Sequence, residues 1–308
     1  MRFAFSVGLV IGLVPPLLCP AQLKLVNVET VPLGKSHAWF GPRWSPDGKK
    51  IYFTASDFDG IWACSTAGGS FVQITSDRGS GYGFSISGDG ACLAYRRTLS
   101  GAVPGERLQE AVVRNLASGG TTVLSTGRSV SLPSFAGSDV VFSVDSRLQG
   151  VTAAAVSAGA VTVLGIEEGK IAILRNGVKS LISPLGTGSY LWPSLSPDGS
   201  ALVACEKDSG AFVSDALGAH PVRIGRRDAP DWTRDGRWLV YMADREDGHT
   251  LRSSEIAYVS RDGKVGGTLT SGSGRIEMYP KCSPVDDAIA CSTLGGEILV
   301  ITYSEASR

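Results

Sequence analysis

Histidine is scarce in this chain of 308 residues: only His37, His220 and His249 occur. Multi-histidine metal centres are therefore excluded, as are most histidine-based acid–base networks. No Gly-x-Ser-x-Gly elbow is present, which removes serine hydrolases of the α/β type. Cys-x-x-Cys, His-Glu-x-x-His and a complete calcium-loop pattern are also missing. Gly34-Lys35-Ser36 ends like a phosphate loop, but Glu29 stands where that loop needs its first glycine. Charge of one sign is not in excess, with 29 basic and 29 acidic residues. A nucleic-acid surface should be visibly basic, so that class of partner is excluded. Of six cysteines, Cys19 lies in the N-terminal apolar run, and Cys64, Cys92, Cys205, Cys282 and Cys291 are scattered and odd in number. They cannot form a complete disulfide framework. Cys282 and Cys291 flank one hairpin and could pair in an oxidising compartment; small apolar residues on core strands is the other reading.

Long apolar runs are missing beyond the N-terminus. Phe3 to Leu18 is apolar after Arg2, but Pro15 and Pro16 interrupt it and it falls short of the ~20 residues of a spanning helix. Cys19-Pro20-Ala21 supplies small residues for cleavage before Gln22. Residues 1–21 read as a signal peptide, which places the mature chain in the periplasm or outside the cell. Leu18 before Cys19 disfavours a lipid anchor. No membrane span is expected, and residues 22–308 read as one domain.

Glycine is abundant, at 39 residues, as a fold of many tight hairpins requires. The chain also repeats itself. Trp44-Ser45-Pro46-Asp47-Gly48 precedes the apolar run Ile51-Tyr52-Phe53, and the same unit returns at Leu195-Ser196-Pro197-Asp198-Gly199 and Trp232-Thr233-Arg234-Asp235-Gly236. Weaker copies begin at Ile86, Phe135 and Cys282. Proline presets φ in such a turn, aspartate accepts from its backbone, and glycine supplies the positive φ that closes it. No stretch keeps a helical period. Units at roughly 40–60 residues have the spacing of propeller blades.

These units resemble the propeller repeats of the TolB-like family. Trp44–Lys49, Ile51–Phe53, Ser56-Asp57-Phe58-Asp59-Gly60 and Ile61-Trp62 carry the resemblance, which extends over the whole mature chain. It implies an all-β, six-bladed propeller of four-stranded antiparallel blades used as a binding surface. The α/β domain that precedes the propeller in the family's type member is not expected in this chain. Leu23–Val31 is expected to complete the last blade and close the ring. Val151–Ser157, Ala160–Leu164, Lys170–Arg175 and Val178–Ile182 fall in the third unit, which is expected to be one enlarged blade.

Segments leading into the innermost strands converge on one face of a propeller. Here they carry His37, Trp39 and Arg43, then Tyr82, Tyr190 and Trp192, then Asp228, Asp231 and Glu277, with Tyr279 and Lys281. Aromatics with a few polar groups suit recognition of an envelope protein or a glycan; packing between blades is the alternative use. A second cluster, Asp244, Glu246 and Asp247 with His249, has the oxygen density for a Ca²⁺ ion, or forms a solvated turn closed by Gly248. The expected role is binding without catalysis and without a cofactor. The rival is a carbohydrate-active lyase or glycosidase using carboxylates or a metal at the channel mouth.

Overall fold

The computed structural model describes residues 21–34, 36–100, 107–150, 159–247 and 250–306. The signal segment lies outside the described residues except for Ala21, and Val151–Ser157 and His249 lie outside them altogether. The described chain folds into seven antiparallel sheets arranged as the blades of a propeller. Blade 1 comprises Trp39–Trp44, Lys50–Ala55, Ile61–Ser65 and Val72–Thr75, from the channel outwards. Blade 2 comprises Phe84–Ile86, Cys92–Ser100, Arg107–Asn115 and Thr121–Gly127. Blades 5 and 6 repeat the four-stranded plan from Tyr190 and Asp228. In blade 7, Glu277–Cys282, Ala288–Thr293 and Ile298–Ala306 are joined by Gln22–Thr30, which pairs antiparallel with Ile298–Ala306. The first strand thus seals the ring and covers an otherwise open sheet edge.

The number of blades corrects the expectation of six, and two blades are three-stranded among the described residues. The enlarged third unit is two separate sheets: Ser134–Ala136, Asp139–Val144 and Arg147–Gln149 form blade 3, and Val161–Glu167, Lys170–Arg175 and Val178–Ile182 form blade 4. The reason lies in the turns. Blades 3 and 4 use two-residue hairpins, with Val144 opposite Arg147, Glu167 opposite Lys170 and Arg175 opposite Val178. Both central residues have positive φ in Asp145-Ser146, Glu168-Gly169 and Asn176-Gly177. That geometry matches the twist of the flanking strands, and it lacks the Ser-Pro-Asp-Gly lettering that marks the other blades.

In the recognisable repeats, the serine or threonine hydroxyl bonds the aspartate two residues on. Ser45 Oγ meets Asp47 at 2.6 Å, Ser196 meets Asp198 at 2.5 Å and Thr233 meets Asp235 at 2.7 Å. The same hydroxyl accepts from the first amide of the next strand, as in Lys50 N to Ser45 Oγ at 2.9 Å. Each turn is therefore held by its own side chains. The core lies between blades. Trp39 is buried edge-on against Phe53, Trp62 and Phe71, and its cluster reaches Ala290 and Ile298 of blade 7. All five cysteines of the described chain are free, so Cys282 and Cys291 form no disulfide.

Candidate functional site

Four inner strands carry a proline at an equivalent place: Gly41-Pro42, Trp192-Pro193, Ala229-Pro230 and Tyr279-Pro280. Proline is tolerated because the channel-side edge of an inner strand has no ladder partner for its missing N–H. In each case the preceding residue has positive φ, at 59° for Gly41, 50° for Trp192, 48° for Ala229 and 55° for Tyr279. The strand register slips across the same positions. A positive φ on Trp192 and Tyr279 is strained backbone of the kind that bulges use to re-aim side chains. Two groups of residues follow from this device, one on each side of the proline along the inner strands.

The residue directly after each proline lies on the turn side of the register slip: Arg43, Ser194, Asp231 and Lys281. Lys281 Nζ pairs with Asp231 Oδ1 at 2.8 Å, and Asp231 Oδ2 accepts from the Cys282 amide at 2.8 Å. The Trp44 indole donates to the Lys281 carbonyl at 2.8 Å, tying blade 1 to blade 7. Arg43 lies over the Phe84 ring of blade 2 at 5.4 Å. Surrounding protein lowers the Arg43 pKa from its usual value and the Asp231 charge acts against that, so the guanidinium stays cationic. Side chains from blades 6, 7, 1 and 2 thus meet in one charged cluster.

The other end is the rim where inner strands begin. Antiparallel order places the loop between the second and third strands of each blade on that same rim. Tyr279 stacks edge-on with Phe40 at 5.0 Å, Phe40 with Phe58 at 5.7 Å and Phe58 with Tyr82 at 5.5 Å. Arg96 closes the series over Tyr82 at 5.8 Å. Tyr82 is 61 % exposed. Trp192, like Phe40 and Tyr279, packs against the buried cluster of Ala229, Met242 and Met278. Asp228 stands beside this arc and is hydrogen-bonded to Asp244, from the next strand of its blade. Burial, then that shared bond and the Asp244 charge, push the Asp228 pKa up to about 6. Burial and the charge of Asp228 also raise the Tyr279 phenol.

The structure divides the residues that the sequence grouped on one face. Tyr82, Trp192, Asp228 and Tyr279 lie at the rim, whereas Arg43 and Asp231 lie toward the turns. Trp39 and Tyr190, each three residues before the proline, are buried to 1 % exposure in the core. His37 is exposed but lies against Trp39 and Trp62 at 4.9 and 5.6 Å. Glu277, at the same position in blade 7, is fully buried; it accepts from Thr270 Oγ1 and from the Ile256 amide at 3.3 Å. Its Oε1 has no partner, and burial raises its pKa. In the acidic loop, Asp247 accepts from the Thr250 amide at 2.9 Å and from Arg252 at 2.6 Å, while Asp244 turns to Asp228. Among the described residues no three His, Cys, Asp or Glu side chains are grouped to hold a metal ion. Sequence reasoning missed Phe40, Phe58 and the Asp228–Asp244 pair. The recurring x-Pro was the readable signal for the first of these.

No family model matches the chain, and no curated protein matches it in sequence. Solved structures do match. TolB from Acinetobacter baumannii superposes with a TM-score of 0.55 at 18% identity, over 79% of this chain and 56% of that one. This chain therefore spans little more than half the length of that protein. The β-propeller domain of Cps50 (Swd1) from Myceliophteria thermophila gives a TM-score of 0.56 at 11% identity, over 92% of this chain and 100% of that one. An oligogalacturonate lyase from Vibrio parahaemolyticus aligns at 0.48 with 13% identity, over 85% and 77% of the two chains, a likeness too loose to carry an argument. At these identities the resemblance establishes the β-propeller fold, shared with TolB, and nothing about activity.

Proposed function

We propose that this protein is an exported, non-enzymatic binding module that recognises a protein or glycan partner on the rim of its propeller. The observation that supports this most is the aromatic arc Tyr279–Phe40–Phe58–Tyr82, which crosses three blades without a break and ends on a well-exposed ring. Rigid aromatic side chains next to a few polar groups provide contact area at small entropic cost. Use of a propeller as a binding surface also agrees with the TolB-like fold, and export with the apolar N-terminal segment. Among the described residues no helix is long and apolar enough to cross a membrane.

The Asp228–Asp244 pair favours a second reading, since a carboxyl group titrating at about 6 suits a general acid. Geometry weighs against it. Glycosidases hold their two carboxyl groups about 5–9.5 Å apart to admit the scissile bond or water, whereas these two are hydrogen-bonded to each other. The pair is better placed to accept a donor from a bound partner.

The test is a glycan array together with capture from envelope extract, comparing the wild type with the Trp192→Ala/Tyr279→Ala double variant. The double variant should lose at least ten-fold in affinity for whatever the wild type retains, on the order of the 2 kcal/mol typical of aromatic anchors. Unchanged binding by a folded double variant would remove the rim from consideration. Turnover of a retained glycan would favour the catalytic reading instead.

A further inference from the structure

Inside the channel, away from the aromatic rim, the cationic groups outnumber their partner. Arg43 and Lys281 project from adjacent inner strands, and one carboxylate, Asp231, lies with them. Both oxygens of that carboxylate are already engaged, one by Lys281 and the other by the Cys282 amide. Arg43 is left over. Among the described residues its guanidinium has no hydrogen bond and no ion pair within 4 Å; the Asp231 charge acts on it at longer range, and the Phe84 ring lies 5.4 Å from it. The residue is exposed to solvent, so its five N–H donors face water within the ring of blades.

We propose that this wall is a binding site for a small oxyanion, a carboxylate or phosphate group, held bidentately by Arg43 with Lys281 beside it. A planar guanidinium matches the two oxygens of such a group, and Phe84 restrains its plane so that little freedom is lost on binding. Walls of low dielectric strengthen the attraction relative to a surface arginine. The Trp44–Lys281 bond fixes the spacing of the two strands that carry the cations. The site deepens the binding reading by giving the channel a ligand chemistry, and it rests on that reading only in treating the channel as a place where ligands enter.

Isothermal titration of the full chain with inorganic phosphate and, separately, with succinate at low ionic strength tests the proposal without any rim partner. Saturable one-to-one binding of at least one anion is expected, and the stronger of the two identifies phosphoryl or carboxylate as the source. Arg43→Gln should weaken that binding about ten- to hundred-fold, the scale of a lost charge-assisted pair. Arg43→Lys should fall between, since it keeps the charge and loses the fork. Trp192→Ala should leave the titration unchanged, which separates failure of this site from failure of the rim. Thermal melting of each variant confirms that it is folded. Absence of saturable heat with both anions, or equal affinity in a folded Arg43→Gln protein, would overturn the proposal.

Discussion

At the scale of single residues, one side chain has a charge state set against its usual value by its place at the rim. Asp228 shares a hydrogen bond with Asp244 and titrates at about 6, against about 3.9 in an unfolded chain. Between those values the native state holds more protons than the unfolded state, so this group's contribution to stability falls as pH rises through the window. Above pH 6 the destabilisation is complete; below about pH 4 it is absent. Asp228→Asn should therefore stabilise the protein at pH 8, on the order of 1 kcal/mol after allowance for solvent screening. At pH 4.5, inside the window, it should give only about a third of that gain. Urea unfolding of both proteins at the two pH values measures this, and an equal difference at both would mean that Asp228 is ionised like any surface aspartate.

The repeated turn dominates at the scale of elements. Its aspartates shift the other way: the Ser196 hydroxyl and the Ser200 amide and hydroxyl hold Asp198 ionised down to about pH 2. Ser196→Ala removes a hydroxyl that bonds Asp198 and also accepts from the Ala201 amide at 3.0 Å. A loss of about 1 kcal/mol is expected at pH 7, by the usual worth of such bonds, read as a lower urea midpoint with unchanged slope. No change in midpoint would show that the backbone holds the turn by itself.

Elements also show where the fold was legible in the sequence and where it was not. Ser-Pro-Asp-Gly turns announce a hairpin wherever they occur, because proline, aspartate and glycine each have a separate steric or hydrogen-bonding reason to be there. Blades 3 and 4 dispense with that four-residue arrangement. Their hairpins turn on Asp145-Ser146, Glu168-Gly169 and Asn176-Gly177, and without the shared lettering two sheets read as one irregular unit. The site was blurred by a different cause. Strand alternation assigns faces by counting in twos, but four of the inner strands slip register at their prolines. Trp39 and Tyr190 go to the core, while Phe40, Trp192 and Tyr279 pack around Ala229, Met242 and Met278. Phe58 reaches the arc from a loop between the second and third strands of blade 1, a contact that no local pattern encodes.

For the whole molecule, ring closure makes these separate features into one object. Pairing of Gln22–Thr30 with Ile298–Ala306 joins the first strand to the last, so blades 1 and 7 become neighbours. Tyr279 and Phe40 meet across that seam, as do Lys281 and Trp44. Both the aromatic arc and the channel cluster thus depend on the closed ring rather than on any single blade. The resulting body has two unlike ends: an aromatic rim beside a carboxyl pair, and a turn-bearing end above a cationic patch. The central claim is that partners meet the first of these.

Site-specific photo-crosslinking tests that claim most directly. A benzoylphenylalanine side chain is placed at Tyr82 or at Trp192 on the rim, and at Val178, 64 % exposed on blade 4, as a control. The three proteins are irradiated in envelope extract and with immobilised glycans. Saturable adducts from the two rim positions, absent from position 178 and competed away by unlabelled wild-type protein, are the predicted result. Saturable adducts from position 178 with none from either rim position would contradict the account.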